Sequence, residues 1–277
     1  MKLLSKFYIG LVFLILYAPI FVVILFSFNS SGSLSSFSGF SLYWYRELFR
    51  DGEALTALKN SLFLAVSSSL LATAIGTLAS FGIARAKSKR YQKMMEGVSN
   101  IPMMNPDIVT GVSMMLLFVG VGAIIGVGDT LGMWTMLLAH TTFNLPYVIL
   151  SVLPKFRQMD KSLTEAALDL GCTPAKTFFL VELPYILPGV ISGLMMSFTL
   201  SLDDFVISHF VSSPDFKTLP LYIYDQTAHE VKFSMYALCT LLMVVILILL
   251  IAVNLAGSVG ESRQRKKNYQ NKTGAVK

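Results

Sequence analysis

Six apolar runs, each long enough to cross a bilayer, limit what this chain can fold into. They fall at about 7–28, 61–84, 97–121, 131–153, 187–211 and 235–257, each bounded by charge or by Gly, Pro and Asn. A hydrocarbon core of ~30 Å takes roughly 20 residues of helix at 1.5 Å per residue. Backbone at that depth has no water to bond, so the runs predict helices that close their own hydrogen bonds. None shows the in/out alternation over about 10 residues that suits a β-barrel. The predicted fold is therefore all-α and integral to a membrane, with six transmembrane helices in residues 1–257, a loop at 154–186 and a basic tail at 258–277. At 54% hydrophobic, 14% charged and a mean hydropathy of +0.65, the composition is too apolar for an ordinary soluble domain.

The first run follows Lys2 and Lys6 and is too long for a secretory signal, with no small-x-small site to close it, so it reads as a retained span. Of the 22 Lys and Arg residues, 17 fall on one side: Lys2 and Lys6; Arg85, Lys87, Lys89, Arg90 and Lys93; Lys155, Arg157, Lys161 and Lys176; and Arg263, Arg265, Lys266, Lys267, Lys272 and Lys277. Arg46, Arg50, Lys59, Lys217 and Lys232 fall on the other. The positive-inside rule then puts both termini in the cytoplasm. Basic residues arranged in short runs between spans point to membrane lipid and away from nucleic acid. Cys172 and Cys239 are far apart, and neither they nor the scattered His140, His209 and His229 suggest a disulfide framework or metal site.

The 154–186 loop carries local signals of its own. Ser162-Leu-Thr-Glu165 has the form of a capping box, and Leu163, Ala166, Ala167 and Leu170 follow as a narrow apolar stripe. Gly171 suits the left-handed position that ends a helix. Thr173-Pro174 reads as the start of a second helix to about Val181, which Pro184 ends or bends. The result is a compact helical turn at the membrane surface.

Acidic residues within a span cost about 2.5–3.5 kcal/mol each, so they call for a reason. Asn105-Pro106-Asp107 interrupts the third run roughly 15 Å from its start, near the midplane, where Pro106 cannot donate a backbone bond. Asp203 and Asp204 lie about 24 Å along the fifth, in its outer half. These carboxylates suit a polar path that attracts a cationic solute, with Phe198, Phe205 and Tyr147 as nearby aromatic faces; adjacent aspartates point about 100° apart, so one of the pair suffices. Asp107 as a helix cap and Asp203-Asp204 facing outer water is the plainer reading. Gly189-x3-Gly193 suits close helix approach, and Trp44 and Tyr45 suit an interfacial belt.

The string Glu165-Ala166-Ala167-x3-Gly171-x9-Val181-x-Leu183-Pro184 resembles the EAA signature of ABC-importer permeases in residue type and spacing, with Val181 where that family often has isoleucine. The segments N-P-D-I-V (105–109), H-T-T-F-N-L-P (140–146), S-F-T-L-S-L-D-D-F-V (197–206) and L-P-L-Y-I-Y (219–224) look like those of the permease subunits of spermidine/putrescine importers. The similarity runs from about residue 5 to residue 255. It implies a type I ABC-importer permease fold, with 154–186 as the coupling loop that seats Glu165, Ala166, Ala167, Gly171, Leu183 and Pro184 against a cytoplasmic ATPase. It also implies a heterodimer with a second, related permease, an ATPase dimer, and an extracytoplasmic polyamine-binding protein. The chain has no G-x-x-x-x-G-K-[ST] loop, so ATP and Mg would be bound and hydrolysed by the partner, with no cofactor here and no catalytic residue. An importer for another small solute (an opine, thiamine, iron or phosphate) is the alternative; a channel or membrane enzyme is more remote.

Overall fold

A computed structural model describes residues 2–32, 36–128, 130–229, 232–248 and 251. Among them the regular structure is helical, apart from isolated bridges at Asn29–Phe40 and Ser213–Phe216. The order is α1 Lys2–Ser27, α2 Tyr43–Leu48, α3 Gly52–Arg85, α4 Lys89–Met104, α5 Asp107–Ile125, α6 Met133–Gln158, α7 Lys161–Asp169, α8 Pro174–Thr177, a π-helical turn Phe178–Glu182, α9 Leu183–Asp203, α10 Val206–Val211, α11 Leu219–His229 and α12 Phe233–Ile248. Five stretches are long and apolar enough to span: Lys6–Ser27, Gly52–Arg85, Asp107–Ile125, Met133–Gln158 and Pro174–Asp203. The sixth run is seen as α12, whose described part is shorter; most of 249–257 and the 258–277 tail lie outside the described residues.

Caps explain why the helices overrun the apolar runs. The Asp51 carboxylate accepts from the N–H groups of Glu53 (3.0 Å) and Ala54 (3.1 Å), so α3 starts nine residues before its apolar run. Ser88 accepts from the Tyr91 N–H and starts α4 at Lys89. Gly126, at φ +80°, ends α5. The third run is therefore two helices, of which Asp107–Ile125 is by itself long and apolar enough to span, so Asn105-Pro106-Asp107 stands at the start of a span and not near its middle. Asn105 leaves α4 in an extended conformation and Pro106 offers no N–H, so the ladder stops and restarts at Asp107.

The chain divides into two compact units, Ala57–Leu221 and Met1–Thr56 with Tyr222–Lys277. In the first, α3, α6 and α9 are in register. Ser68 of α3 meets Ser201 of α9 (2.9 Å), which meets His140 of α6 (2.7 Å). Two turns along, Val148 sits between Gly76 and Gly193: a Cβ on Gly76 would stand 2.7 Å from Val148 Cγ1, and one on Gly193 3.3 Å from Val148 Cα. A turn further, a Cβ on Gly189 would stand 2.7 Å from the Ser151 carbonyl oxygen. Lipid tails are as apolar as leucine, so helices associate here through close packing and polar contacts. The Gly189/Gly193 pair thus joins α9 to α6 within the chain. Clusters around Leu64, Met136 and Ile207, and around Val148, Val152 and Ile186, complete this core. Arg157 pairs with Glu96, tying α6 to α4.

In the second unit, Trp44 donates its indole N–H to the Asn29 carbonyl (2.7 Å) and packs on Phe233, while the Tyr45 hydroxyl meets Ser27 (2.8 Å). Both aromatic residues hold the segment after α1. The Tyr222 hydroxyl donates to the Asp51 carboxylate at 2.6 Å. Burial works against ionising Asp51, but that bond, the two capping N–H groups and the Lys232 charge outweigh it and hold its pKa below the usual carboxylate range. Burial, the Asp51 bond and the charges of Asp51 and Glu53 push the Tyr222 phenol well above its usual value.

Two outcomes follow from this packing. Gly189→Leu, which must force α9 from α6, should lower the melting temperature of the detergent-purified complex by an amount equivalent to about 1–3 kcal/mol. Gly82→Ala, where a Cβ meets nothing within 4 Å, should leave it unchanged or raise it. The Asp51–Tyr222 contact has a defined pH window. A lowered folded pKa at Asp51 gives stability that is present above about pH 4 and lost as pH falls below it; the raised Tyr222 pKa keeps its hydroxyl protonated to beyond about pH 10. Thermal melts of wild type and Tyr222→Phe should therefore differ between those limits and converge in acid.

Candidate functional site

The coupling-type loop is built on side chains that the sequence signature does not contain. Asp160, not Ser162, caps α7: its carboxylate accepts from the Ser162 N–H at 3.0 Å, and hydrogen bonds from Ser162 hold its pKa below the usual range. The expected capping box is absent because an acidic residue two positions earlier reaches the same orphan amides. Gly171 takes φ +85°, and Thr173 caps the following helix with Pro174 in its first turn, as predicted. Ala167 turns inward while Leu163, Glu165, Ala166, Leu168 and Leu170 face out, Leu170 at 86% exposure. An apolar face is thus presented at the tip of the loop.

Pro184 does not end the second helix. Phe178–Glu182 form a π turn in which the Leu183 N–H bonds the Phe178 carbonyl, and the helix continues into α9 with Leu183 half-buried and Pro184 exposed. The wider turn shifts the hydrogen-bond register, so the N–H that Pro184 lacks falls at the join. Within the turn, the Glu182 side chain is fully buried: one carboxylate oxygen accepts from Arg85, at the end of α3, and from the Thr164 hydroxyl of α7 (3.1 Å). Arg85 also lies 4.5 Å over the Phe81 ring, which packs edge-on to Phe178. A cleft of about 340 Å³ opens beside this contact, lined by Leu78, Phe81, Arg85, Pro174, Ala175 and Phe179 among others. The loop is thus fastened to α3 through one buried acid. Sequence reasoning missed Glu182 and Arg85 as a pair, although Glu182 is the lone charge between Lys176 and Asp203.

The in-span aspartates take different roles. Asp204 is largely buried; its two oxygens accept from the N–H groups of Ile207 (3.3 Å) and Ser208 (2.8 Å), starting α10 after the chain breaks at Asp204 and Phe205. His140 faces it at 3.5 Å through Nε2, which also meets Ser208 Oγ (3.1 Å), while Nδ1 meets Ser201 Oγ. Asp203 is exposed. Asp107, in the first turn of α5, is exposed too. Tyr147 packs on Phe143, and Phe198 is half-buried on α9; Phe205 packs on His209. The structure thus leaves Asp107 and Asp203 exposed and engages Asp204. His140, scattered in sequence, is central to the buried network. Among the described residues no three His, Cys, Asp or Glu side chains gather as a metal-ligand set.

Comparison with known proteins places this geometry. Residues 72–257 match the family described as binding-protein-dependent transport system inner membrane component. The putrescine transport system permease protein PotI of Escherichia coli strain K12 is 40% identical over 231 residues, covering 83% of this chain and 82% of that one. The spermidine/putrescine transport system permease protein PotC of the same strain is 36% identical over 254 residues, covering 92% and 94%. Among solved structures, a bacterial ABC transporter involved in import of the acidic polysaccharide alginate superposes with a TM-score of 0.73 at 16% identity, covering 93% of this chain and 95% of that one. The MetNI methionine ABC transporter superposes at 0.59 and 18% identity, covering 80% and 98%. These structural likenesses speak to the fold, and with the relatives they show that this chain is an ABC-importer permease of the binding-protein-dependent transport system inner membrane component family.

Proposed function

We propose that this permease carries polyamines of the putrescine and spermidine class, as half of a path shared with a second permease chain. An extracytoplasmic binding protein delivers the solute, and a dimer of ATPase subunits, holding ATP and Mg, drives alternating access. The two relatives named for these solutes support the substrate class, and the exposed carboxylates Asp107 and Asp203 suit a cation. Asp204 serves the path by holding the break that presents Asp203. The observation that carries the coupling role is the apolar tip of α7, exposed while its base is tied to α3 through buried Glu182. Glu165, Ala166, Ala167, Gly171, Leu183 and Pro184 shape that seat, and the basic residues at Arg85–Lys93 and Lys155–Lys176 put it, with both termini, on the cytoplasmic side.

A stimulated-ATPase assay on the assembled complex tests the substrate class: putrescine or spermidine with the binding protein should raise turnover, and an opine, thiamine, iron or phosphate should not. Stimulation by one of those solutes alone would reassign it. Asp203→Asn should lower polyamine uptake about tenfold or more at unchanged protein level, since an ammonium–carboxylate contact at an effective dielectric near 20 is worth up to about 4 kcal/mol. Asp204→Asn should instead reduce the folded yield. At the loop, Arg85→Ala leaves Glu182 buried without its cation and should destabilise the protein by about 3–5 kcal/mol, more than Glu182→Gln, which still bonds Thr164. Equal melting temperatures for the two variants would mean that this contact does not secure the loop.

A further inference from the structure

The cleft beside the Arg85–Glu182 contact opens where α3 leaves the membrane. Leu78, Phe81 and Arg85 of α3 form one wall, and Ala175, Phe178 and Phe179, from α8 and the π turn, form the other. Leu78 lies inside the apolar run 61–84 and Arg85 just past its end, about 10 Å along the helix. The cleft therefore begins at hydrocarbon depth and ends at the interface. Leu71, Ile75, Leu78 and Arg85 follow at i, i+4, i+7 and i+14, so an exposed apolar stripe of α3 runs down to a cation.

The chemistry of the walls selects the occupant. Where helices of this chain meet, small residues bring them together, as Gly189 and Gly193 do against α6. The cleft is instead lined with large aliphatic and aromatic side chains, and Phe179 and Leu180 are exposed. Such walls suit an acyl chain better than a packed helix. An acyl chain alone needs no guanidinium. Glu182 takes one edge of Arg85, yet the Arg85 side chain keeps 39% of its surface exposed and the Glu182 side chain only 2%. A guanidinium has five N–H donors, so one carboxylate oxygen leaves donors to spare, and the pair shows its positive half to the outside. The Phe81 ring, 4.5 Å below, holds that group in place and stands edge-on to Phe178 at 5.0 Å. Lys176, next to Ala175 in α8, adds a second exposed cation. A phosphodiester carries the complementary charge and suits the guanidinium fork. In a bilayer the lipid phosphate stands at the interface with its acyl chains beneath, the order in which Arg85 and Leu78 stand along α3.

We propose that this cleft binds one anionic phospholipid, with an acyl chain between Leu78, Phe81 and Phe179 and the phosphate at Arg85 and Lys176. The lipid rests against α8 and the π turn, and so braces the foot of the coupling-type loop against α3. The assignment is independent of which solute the path carries.

The test uses the complete transporter in liposomes of equal phosphatidylglycerol and phosphatidylcholine. A photoreactive benzoyl-phenylalanine stands in place of Phe179 or, as a control in the middle of α3, of Leu70, and mass spectrometry identifies what each cross-links. The probe at Phe179 should take phosphatidylglycerol about tenfold over phosphatidylcholine, and the probe at Leu70 should take the two about equally. Lys176→Glu should bring the ratio at Phe179 several-fold closer to equal; Arg85 is kept in every variant because it secures Glu182. Equal yields at Phe179, or no lipid adduct there, mean passing contact with bulk lipid or none, and overturn the proposal. Cross-linking to the second permease or to the ATPase means that protein covers the cleft, and also overturns it. An unchanged excess in Lys176→Glu means that the headgroup is held elsewhere, and overturns the placement of the phosphate.

Discussion

Inside a bilayer every backbone N–H and C=O must find its partner in protein, and this structure is organised around the places where a helix cannot supply one. There are three such places in Ala57–Leu221. At Asp204-Phe205 a carboxylate takes over, bonding the first free amides of α10 while His140 and two serines hold it in place. At Phe178–Glu182 the chain widens by one residue and keeps its ladder. At Asn105-Pro106 the ladder stops and restarts in α5, where the Val109 and Thr110 N–H groups bond the Pro106 carbonyl. Each is a different local answer: a side-chain cap, a widened turn and a helix that stops and starts again.

The buried acids show how position decides role. Asp203 and Asp204 are neighbours in sequence, yet one faces out and the other is enclosed, because the helix ends at Asp203 and Asp204 turns away from it in an extended conformation. Glu182 is enclosed as well, and its bonds to Arg85 and Thr164 draw three elements to one point. A buried acid with one partner removed is strongly unfavourable, so such a contact fixes geometry even where its net contribution to stability is small.

Much of this was legible beforehand. Five of the six apolar runs overlap spans seen among the described residues, because length and hydropathy are additive over about 20 residues, and Pro106 marked the break because proline removes a specific hydrogen bond. Gly171 and Thr173-Pro174 behaved as local rules require. What was not legible depended on partners distant in the chain. The cap on α7 went to Asp160 through competition among neighbours, the π turn absorbed Pro184 through a register shift, and the pairings of Glu182 with Arg85 and of His140 with Ser201 and Asp204 join residues 61 or more positions apart. Helix starts were misplaced by several residues, since polar caps extend a helix beyond the apolar stretch that announces it.

From Pro174 to Asp203 the chain runs as one helical stretch of 30 residues, about 45 Å, whose ladder is interrupted near its foot by the π turn Phe178–Glu182 and by Pro184 and Pro188, which have no N–H to give. These interruptions put its compliance at the foot, beside the apolar tip of α7, and leave the proline-free part from Gly189 to Asp203 as the stiff arm. A lever with its give at the foot softens a push applied there and keeps its upper arm in one piece.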